Sequence, residues 1–305
     1  MRNKFAECLT QLAKTNEDIC LLYADIGNRL FNNLKEIAPD RTINAGIAEA
    51  NMATMASGMA QMGFRPFIYT ITPFTTARNF EQIKIDLAYA NVPVVIVGTG
   101  SGLAYANLGP THHSFEDIAL MRVLPNMKIV CPADSMELEA LMPELLKETG
   151  PVYLRIGKKN EPQNYSDIPK LTVGKAHLCR EGQRVTLLCT GTALHIGNQV
   201  ADELLSKGIS AELVSMHTVK PLDTGFLSTI PADKLVVSIE EHSLNGGFGS
   251  ALCEWFNDSD WEGKVLRFGI PDTFIDQLSG PQAARDRIGL TAPDITSRIL
   301  KKLSL

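Results

Sequence analysis

The chain has 305 residues, 45% of them hydrophobic and 21% charged, with a formal net charge of −5. That is enough length for two domains of ordinary size, and the composition excludes a disordered chain. Lys and Arg form no long run, which argues against nucleic acid or an anionic membrane as the main partner, because counterion release needs clustered cations.

Apolar, β-like runs alternate with helical stretches, the pattern of an α/β protein whose sheets are mostly parallel. An opening amphipathic helix leads into a strand over 18–23. A short strand over 41–44 precedes an Ala- and Met-rich helix over 49–62 that stops at Gly63. Strand 66–69 and helix 80–89 follow, then a buried strand over 92–97 that runs into a glycine-rich loop, 98–109. Strand 128–131, helix 135–147 and strand 152–155 complete a first domain, residues 1–160. Polarity rises over 157–170, and residues 161–170 are assigned as the linker. The second domain, 171–305, holds strand 185–190, helix 194–207, strands 211–215 and 235–239, helix 249–256, strand 264–268 and a last helix near 292–303. The six cysteines show no CxxC pair and no zinc-ligand spacing, so free thiols in a reducing compartment are expected. The opening segment has acids inside it, unlike a signal peptide, and no apolar run reaches the ~18 residues of a membrane span. The cytoplasm is the expected location.

Three stretches carry candidate chemistry. In GIAEANM, Glu49 sits where a strand passes into a helix, at the sheet edge where open α/β folds place ligands. Taken alone, a Glu in a first helical turn only complements the helix dipole. In GPTHHSFED, the adjacent His112 and His113 suggest polar contacts to a substrate. Zinc is a poorer reading, since no third ligand stands at helical spacing. The acids Glu116 and Asp117 read as favouring the next helix start. In FTTARNFEQ, Phe74 beside polar residues offers one wall of a pocket for a flat ring.

Taken in order, GIAEANM, F-x-x-x-R-x-x-E-Q and GPTHHSFEDIALMRVLPNMKIVCPAD resemble the pyrimidine-binding domain of the transketolase family. Farther along, AELVSMHTVKPLD and VVSIEEHSLNGGFGS resemble that family's C-terminal domain. The resemblance implies two tandem α/β domains and thiamine diphosphate as cofactor. It assigns Glu49 to a ring nitrogen of the cofactor's aminopyrimidine, where a carboxyl relays protons through the ring. Phe74 matches the aromatic that stacks on that ring, and Ile71 stands where many relatives have a second ring. Asp25 and Arg78 fall at positions near the cofactor. His112 matches the histidine that contacts donor-substrate oxygens, with His113 assisting.

Departures from the family pattern matter too. Sugar-processing relatives carry an acid two residues before the Pro of the histidine loop, and Leu108 stands there instead. Leucine accepts no hydrogen bond, which puts a standard ketose donor in question. A further histidine that binds substrate phosphate in sugar transketolases appears here as Gly100. Arg155 and Lys158 remain as candidates for a phosphate or carboxylate, or as solvated charges.

The family holds the diphosphate and Mg²⁺ with a separate domain carrying a G-D-G motif, and no GDG occurs in these residues. The resemblance therefore implies half a site on this chain. The Mg²⁺ ligands and the GDG motif are expected on an N-terminal, diphosphate-binding partner, in a heterotetramer with two-fold symmetry. The expected reaction moves a two-carbon ketol or acyl unit from a ketose or 2-oxo donor to an aldehyde. The alternatives are the β subunit of a 2-oxo acid dehydrogenase, a deoxyxylulose phosphate synthase-like enzyme, or a non-catalytic partner subunit.

Overall fold

The computed structural model describes residues 1–27, 29–276 and 278–304. It opens with helix α1 (Arg2–Thr15), strand β1 (Ile19–Tyr23), helix α2 (Asn32–Ile37), strand β2 (Thr42–Asn44) and helix α3 (Glu49–Gln61). Then come β3 (Arg65–Ile71), the single turn α4 (Thr72–Thr75) and α5 (Phe80–Gln82). The last widens into π-helical turns over Ile83–Tyr89. Next are β4 (Val95–Thr99), α6 (Asp117–Arg122), β5 (Lys128–Val130), α7 (Ser135–Leu145) and β6 (Val152–Ile156). The second half holds β7 (His177–Arg180), β8 (Val185–Cys189), α8 (Leu194–Ser206), β9 (Ala211–Ser215), β10 (Thr218–Lys220) and α9 (Thr224–Leu227). It ends with β11 (Leu235–Ser243), α10 (Phe248–Asp258), β12 (Lys264–Ile270), α11 (Pro281–Ile288) and α12 (Ala292–Lys302).

Two sheets result, in the orders β10-β5-β6-β4-β3-β1-β2 and β12-β11-β8-β9-β7. All pairings are parallel except β10 with β5 and β7 with β9. Their central strands are apolar on both faces because helices cover both. In β1, Ile19, Leu21 and Tyr23 face the cluster with α1 and α7, while Cys20 and Leu22 face the opposite core. That second core runs on without a break into Leu188, Val214, Val236 and Phe248 of the C-terminal half. The two halves share a hydrophobic interior.

Several elements differ from what the sequence pattern suggests. The buried run 92–97 enters the ladder only at Val95, because Pro93 has no N–H to give. β7 and β10 escape a periodicity reading: β7 is an edge strand with mixed exposure, and β10 has three residues. Yet β10 crosses from the C-terminal half to join the first sheet, with Thr218 opposite Val130. Lys220 reinforces the crossing by donating Nζ to the carbonyls of Arg122 and Leu124. Residues 161–170 contain no helix or strand, but Asn164 and Tyr165 bond to Asp134 and Glu137 of the first half.

Titratable groups are buried where the halves meet. On β11, Glu240 accepts the N–H groups of Phe248 and Gly249, which open α10. Two residues on, His242 Nε2 accepts the Ala119 N–H, so its Nδ1 carries the proton donated to the Ser243 carbonyl. That pattern is the neutral imidazole. Burial lowers the pKa of His242 to about 4, and burial does the same to His217, also to about 4. Burial instead raises Glu240 to about 7. The signs oppose each other. Each histidine refuses, until about pH 4, a proton that the unfolded chain takes up near 6.5, so both favour unfolding as pH falls through that window. Glu240 favours the folded state at low pH and loses that advantage as pH rises from 4.5 toward 7. Two groups outweigh one. Urea titration at pH 7 and pH 5 should show stability lower at pH 5 by on the order of 2 kcal/mol, and replacing His242 by Gln should shrink the difference.

Candidate active site

Parallel strands β1, β2, β3, β4 and β6 all end at one edge, and the loops leaving them carry the candidate residues. After β1, Asp25 adopts a left-handed backbone (φ 47°) and accepts a bond from Asn44 Nδ2 at the end of β2, 2.9 Å away. Asn44 Oδ1 in turn accepts the Gly46 N–H, at 2.9 Å, in a turn that Gly46 makes at φ 71°. This lacing delivers the chain to Ala48 and then to Glu49, the first residue of α3. The Glu49 side chain is 4% exposed.

Ile71 closes β3 half-buried, and the α4 turn presents Phe74 three residues on. Thr72 fixes that turn by donating to the Thr99 carbonyl of β4 at 3.1 Å. Arg78 joins the two features. Its Nη1 donates to Glu49 Oε1 at 2.8 Å, and its guanidinium carbon lies 4.0 Å from the Phe74 ring centroid. A flat cation is thus sandwiched against an aromatic face while it donates to a buried carboxylate. Asn79 donates to the Glu49 backbone carbonyl at 3.3 Å and holds the helix start from the same side.

The histidine loop supplies the far wall. His112 lies edge-on to Phe74, with centroids 5.4 Å apart, and its Nδ1 pairs with Thr111 Oγ1 at 2.9 Å. Burial and then the charge of Lys158 lower its pKa. Tyr105, which the sequence reading passed over, stands 5.7 Å from His112 and carries Lys158 Nζ 3.9 Å above its ring. Tyr105 also accounts for Gly100. A Cβ at Gly100 would fall 2.0 Å from the tyrosine ring, on a backbone at φ 75°. The space a histidine would need is already filled.

One expectation about this loop needs correcting. His113 does not flank His112 as a second polar arm. It is 3% exposed, stacked on Phe115 at 5.0 Å, and neither ring nitrogen finds a partner among the described residues. Burial lowers its pKa, and the Ala106 backbone raises it through a contact outside hydrogen-bond geometry. It lines a separate cavity of about 480 Å³ with Phe115, Ser243 and Phe274, and none of Glu49, Phe74 and His112 faces that cavity. Leu108 is 44% exposed.

Arg155 is neither a substrate ligand nor a solvated charge. It is 3% exposed, and it donates through Nε to Asp117 Oδ2 at 2.7 Å. Its Nη2 donates to Asp117 Oδ1 and to the carbonyls of Ser114 and Glu241. Tyr153 adds a bond to the same Asp117 at 2.6 Å. Burial disfavours both charges, but pairing prevails, holding Asp117 below the usual carboxylate range and raising Arg155. Asp117, read from sequence as a helix-start charge, is therefore half of a buried lock. The alternation of apolar residues along β6 gives no hint of this.

At the edge of the first sheet, then, fold and site define a two-domain α/β unit with a buried acid, an aromatic ring and a histidine converging on one slot. The family profile described as transketolase, pyrimidine binding domain, matches residues 1–163, and that described as transketolase, C-terminal domain, matches residues 174–295. The chain belongs to the transketolase family. It is 35% identical over 297 residues to the 6-deoxy-6-sulfo-D-fructose transketolase subunit SqwH of Clostridium sp. (strain MSTE9), covering 97% of this chain and 92% of that one. It is 34% identical over 304 residues to the 1-deoxy-D-xylulose-5-phosphate synthase of Rippkaea orientalis, covering 97% of this chain but 47% of that longer one. A solved structure described as a split gene transketolase, inactive beta4 tetramer, superposes with a TM-score of 0.91 at 33% identity, covering 100% of this chain and 98% of its own.

The lock tests readily. Arg155→Met leaves Asp117 buried and unpaired and should cost about 3–5 kcal/mol in urea unfolding. Adding Asp117→Leu should recover much of that loss, because the second change removes the stranded charge.

Proposed function

We propose that this chain is the pyrimidine-binding, C-terminal subunit of a split transketolase that transfers a two-carbon ketol or acyl unit from a ketose or 2-oxo donor to an aldehyde. It works only with an N-terminal partner that carries the GDG motif and the Mg²⁺ ligands. The observation that carries this reading is the slot between Glu49 and Phe74. Arg78 demonstrates its chemistry: the slot accepts a planar group that offers an N–H to the carboxylate at 2.8 Å and a flat face to the ring at 4.0 Å. An aminopyrimidine ring stacks on Phe74 in the same way and, with a proton lying between its ring nitrogen and Glu49, meets the carboxyl as well, so the residues fit the ring half of thiamine diphosphate. When bound, that cofactor supplies a nucleophilic carbon able to take up and release the two-carbon unit.

This chain's residues then have distinct tasks. Glu49, sheltered from water, holds a proton against a ring nitrogen. Phe74 stacks on the ring, Ile71 closes an aliphatic wall, and Asp25 stands at the neighbouring strand end. His112, whose basicity burial and Lys158 reduce, is neutral at pH 7 and can bond a donor oxygen. Lys158 has no acidic partner among the described residues and can receive a phosphate, sulfonate or carboxylate on the substrate. Leu108 provides no acid for a donor hydroxyl.

The assembly is proposed as two copies of each subunit about a two-fold axis, in the cytoplasm. The β4 tetramer of the solved relative supports self-association, and its inactive form supports the need for a partner. Among the described residues no helix is long and apolar enough to cross a membrane. Leu108 favours a second reading in which a simple 2-oxo acid is the donor.

Glu49→Gln keeps the shape of the side chain and removes its proton. With partner, cofactor and Mg²⁺, it should lower kcat by about 100-fold or more while leaving thermal unfolding near wild type. Turnover close to wild type would remove Glu49 from the reaction.

A further inference from the structure

Arg78 is the only side chain within hydrogen-bond reach of the Glu49 carboxylate among the described residues, and its guanidinium has no other hydrogen-bond partner there. It is also a surface residue, with its side chain 46% exposed while Glu49 is 4% exposed. A long, half-solvated arginine has thus folded inward over Phe74 to reach a buried acid. Two planar groups cannot share one stacking position against Phe74 and one donor position on Oε1.

We propose that Arg78 is a place-holder for the cofactor's pyrimidine ring, occupying the slot in the unpartnered subunit and swinging out when the ring enters. The inference rests on the reading of Glu49 and Phe74 given above, and it reverses the role the sequence suggests for Arg78, from cofactor ligand to competitor. The physical need for such a device is plain. A subunit that holds half a site must fold before the ring arrives, and a buried carboxylate with no partner is costly. Arg78 supplies a removable partner. Its release is cheap, because an ion pair with one solvated member is weakly held and a cation–π contact at an exposed position adds little. When it leaves, its charge passes into water and Glu49 takes up a proton that it shares with the ring nitrogen.

A ligand that must displace an internal competitor binds more weakly by the fraction of time the slot is open. The ring half alone, 4-amino-5-hydroxymethyl-2-methylpyrimidine, is the suitable probe: it carries neither the thiazolium charge nor the diphosphate, so losing one positive charge near the site does not distort the comparison. Isothermal calorimetry on the full chain without its partner should show Arg78→Ala binding this pyrimidine about tenfold more tightly than wild type, with Arg78→Gln moving the same way. In the wild-type chain, the Arg78 Nε–H signal should lose its shifted position as the pyrimidine is added. Equal or weaker binding by both variants, including no measurable binding by any of the three chains, overturns the proposal and makes Arg78 a ligand or a bystander. The reading of Glu49 is checked separately: adding Glu49→Gln to Arg78→Ala should abolish the gain. If it does not, Glu49 is not the ring's partner, whatever Arg78 does.

Discussion

The geometry of the site depends on one ion pair that would be unfavourable almost anywhere else. Asp117 and Arg155 are 1% and 3% exposed, and taking two charges out of water costs more than a single contact returns unless every remaining donor and acceptor is engaged. Here they are. Tyr153 adds to the carboxylate, and the guanidinium takes up the Ser114 carbonyl from the histidine loop and the Glu241 carbonyl from β11. The pair therefore ties together β6, the loop ahead of α6 and the C-terminal half of the chain. Glu241 extends the tie, since its side chain accepts the Leu103 N–H at one oxygen and Arg285 at the other. A glycine-rich loop that would otherwise be mobile is thus clamped at Leu103 and at Ser114, and His112 is presented between the clamps.

This arrangement explains why the C-terminal half matters to a site it does not enter. None of the residues converging on the Glu49 slot comes from beyond Lys158, yet the loop that brings His112 there is fixed from β11 and α11. β10 does similar work lower in the fold by adding an antiparallel strand to the first sheet. Cutting the chain near residue 170 would therefore remove a strand from one sheet and a clamp from the active loop. A segment that looks like a simple linker in sequence joins two halves with one continuous core.

Much of the fold was legible because period and composition are local signals. The apolar β1, β4, β6 and β8 and the long helices α3, α7 and α8 were identified to within a few residues. Glu49, Phe74 and His112 came from motif order, and the structure does bring them to one slot. What sequence hid was pairing. Nothing in VYLRIGKK distinguishes an arginine that points into a core from one that meets a phosphate, so Arg155 and Lys158 looked alike although one is buried and the other stands over Tyr105. His113 looked like a twin of His112, but adjacent residues in a loop can face opposite ways, and one of the pair packs on Phe115. Tyr105 could have been suspected as the sole aromatic in the glycine-rich loop. That it fills the place beside Gly100 requires coordinates.

The departures from the family pattern then form a connected set. Tyr105 excludes a side chain at Gly100, so a histidine there is sterically ruled out. The same ring carries Lys158, which places an ammonium, with its compact and mobile charge, at the entrance beside His112. Leu108 leaves the loop without an acid. A substrate entering past this rim meets a cation on an aromatic shelf, a neutral histidine and an aliphatic edge, and no carboxylate from residues 100–113. Such a rim favours an anionic tail and places little demand on a hydroxyl pattern near the reacting carbon. On the proposed reading, substrate discrimination along this route rests on charge at the far end of the molecule.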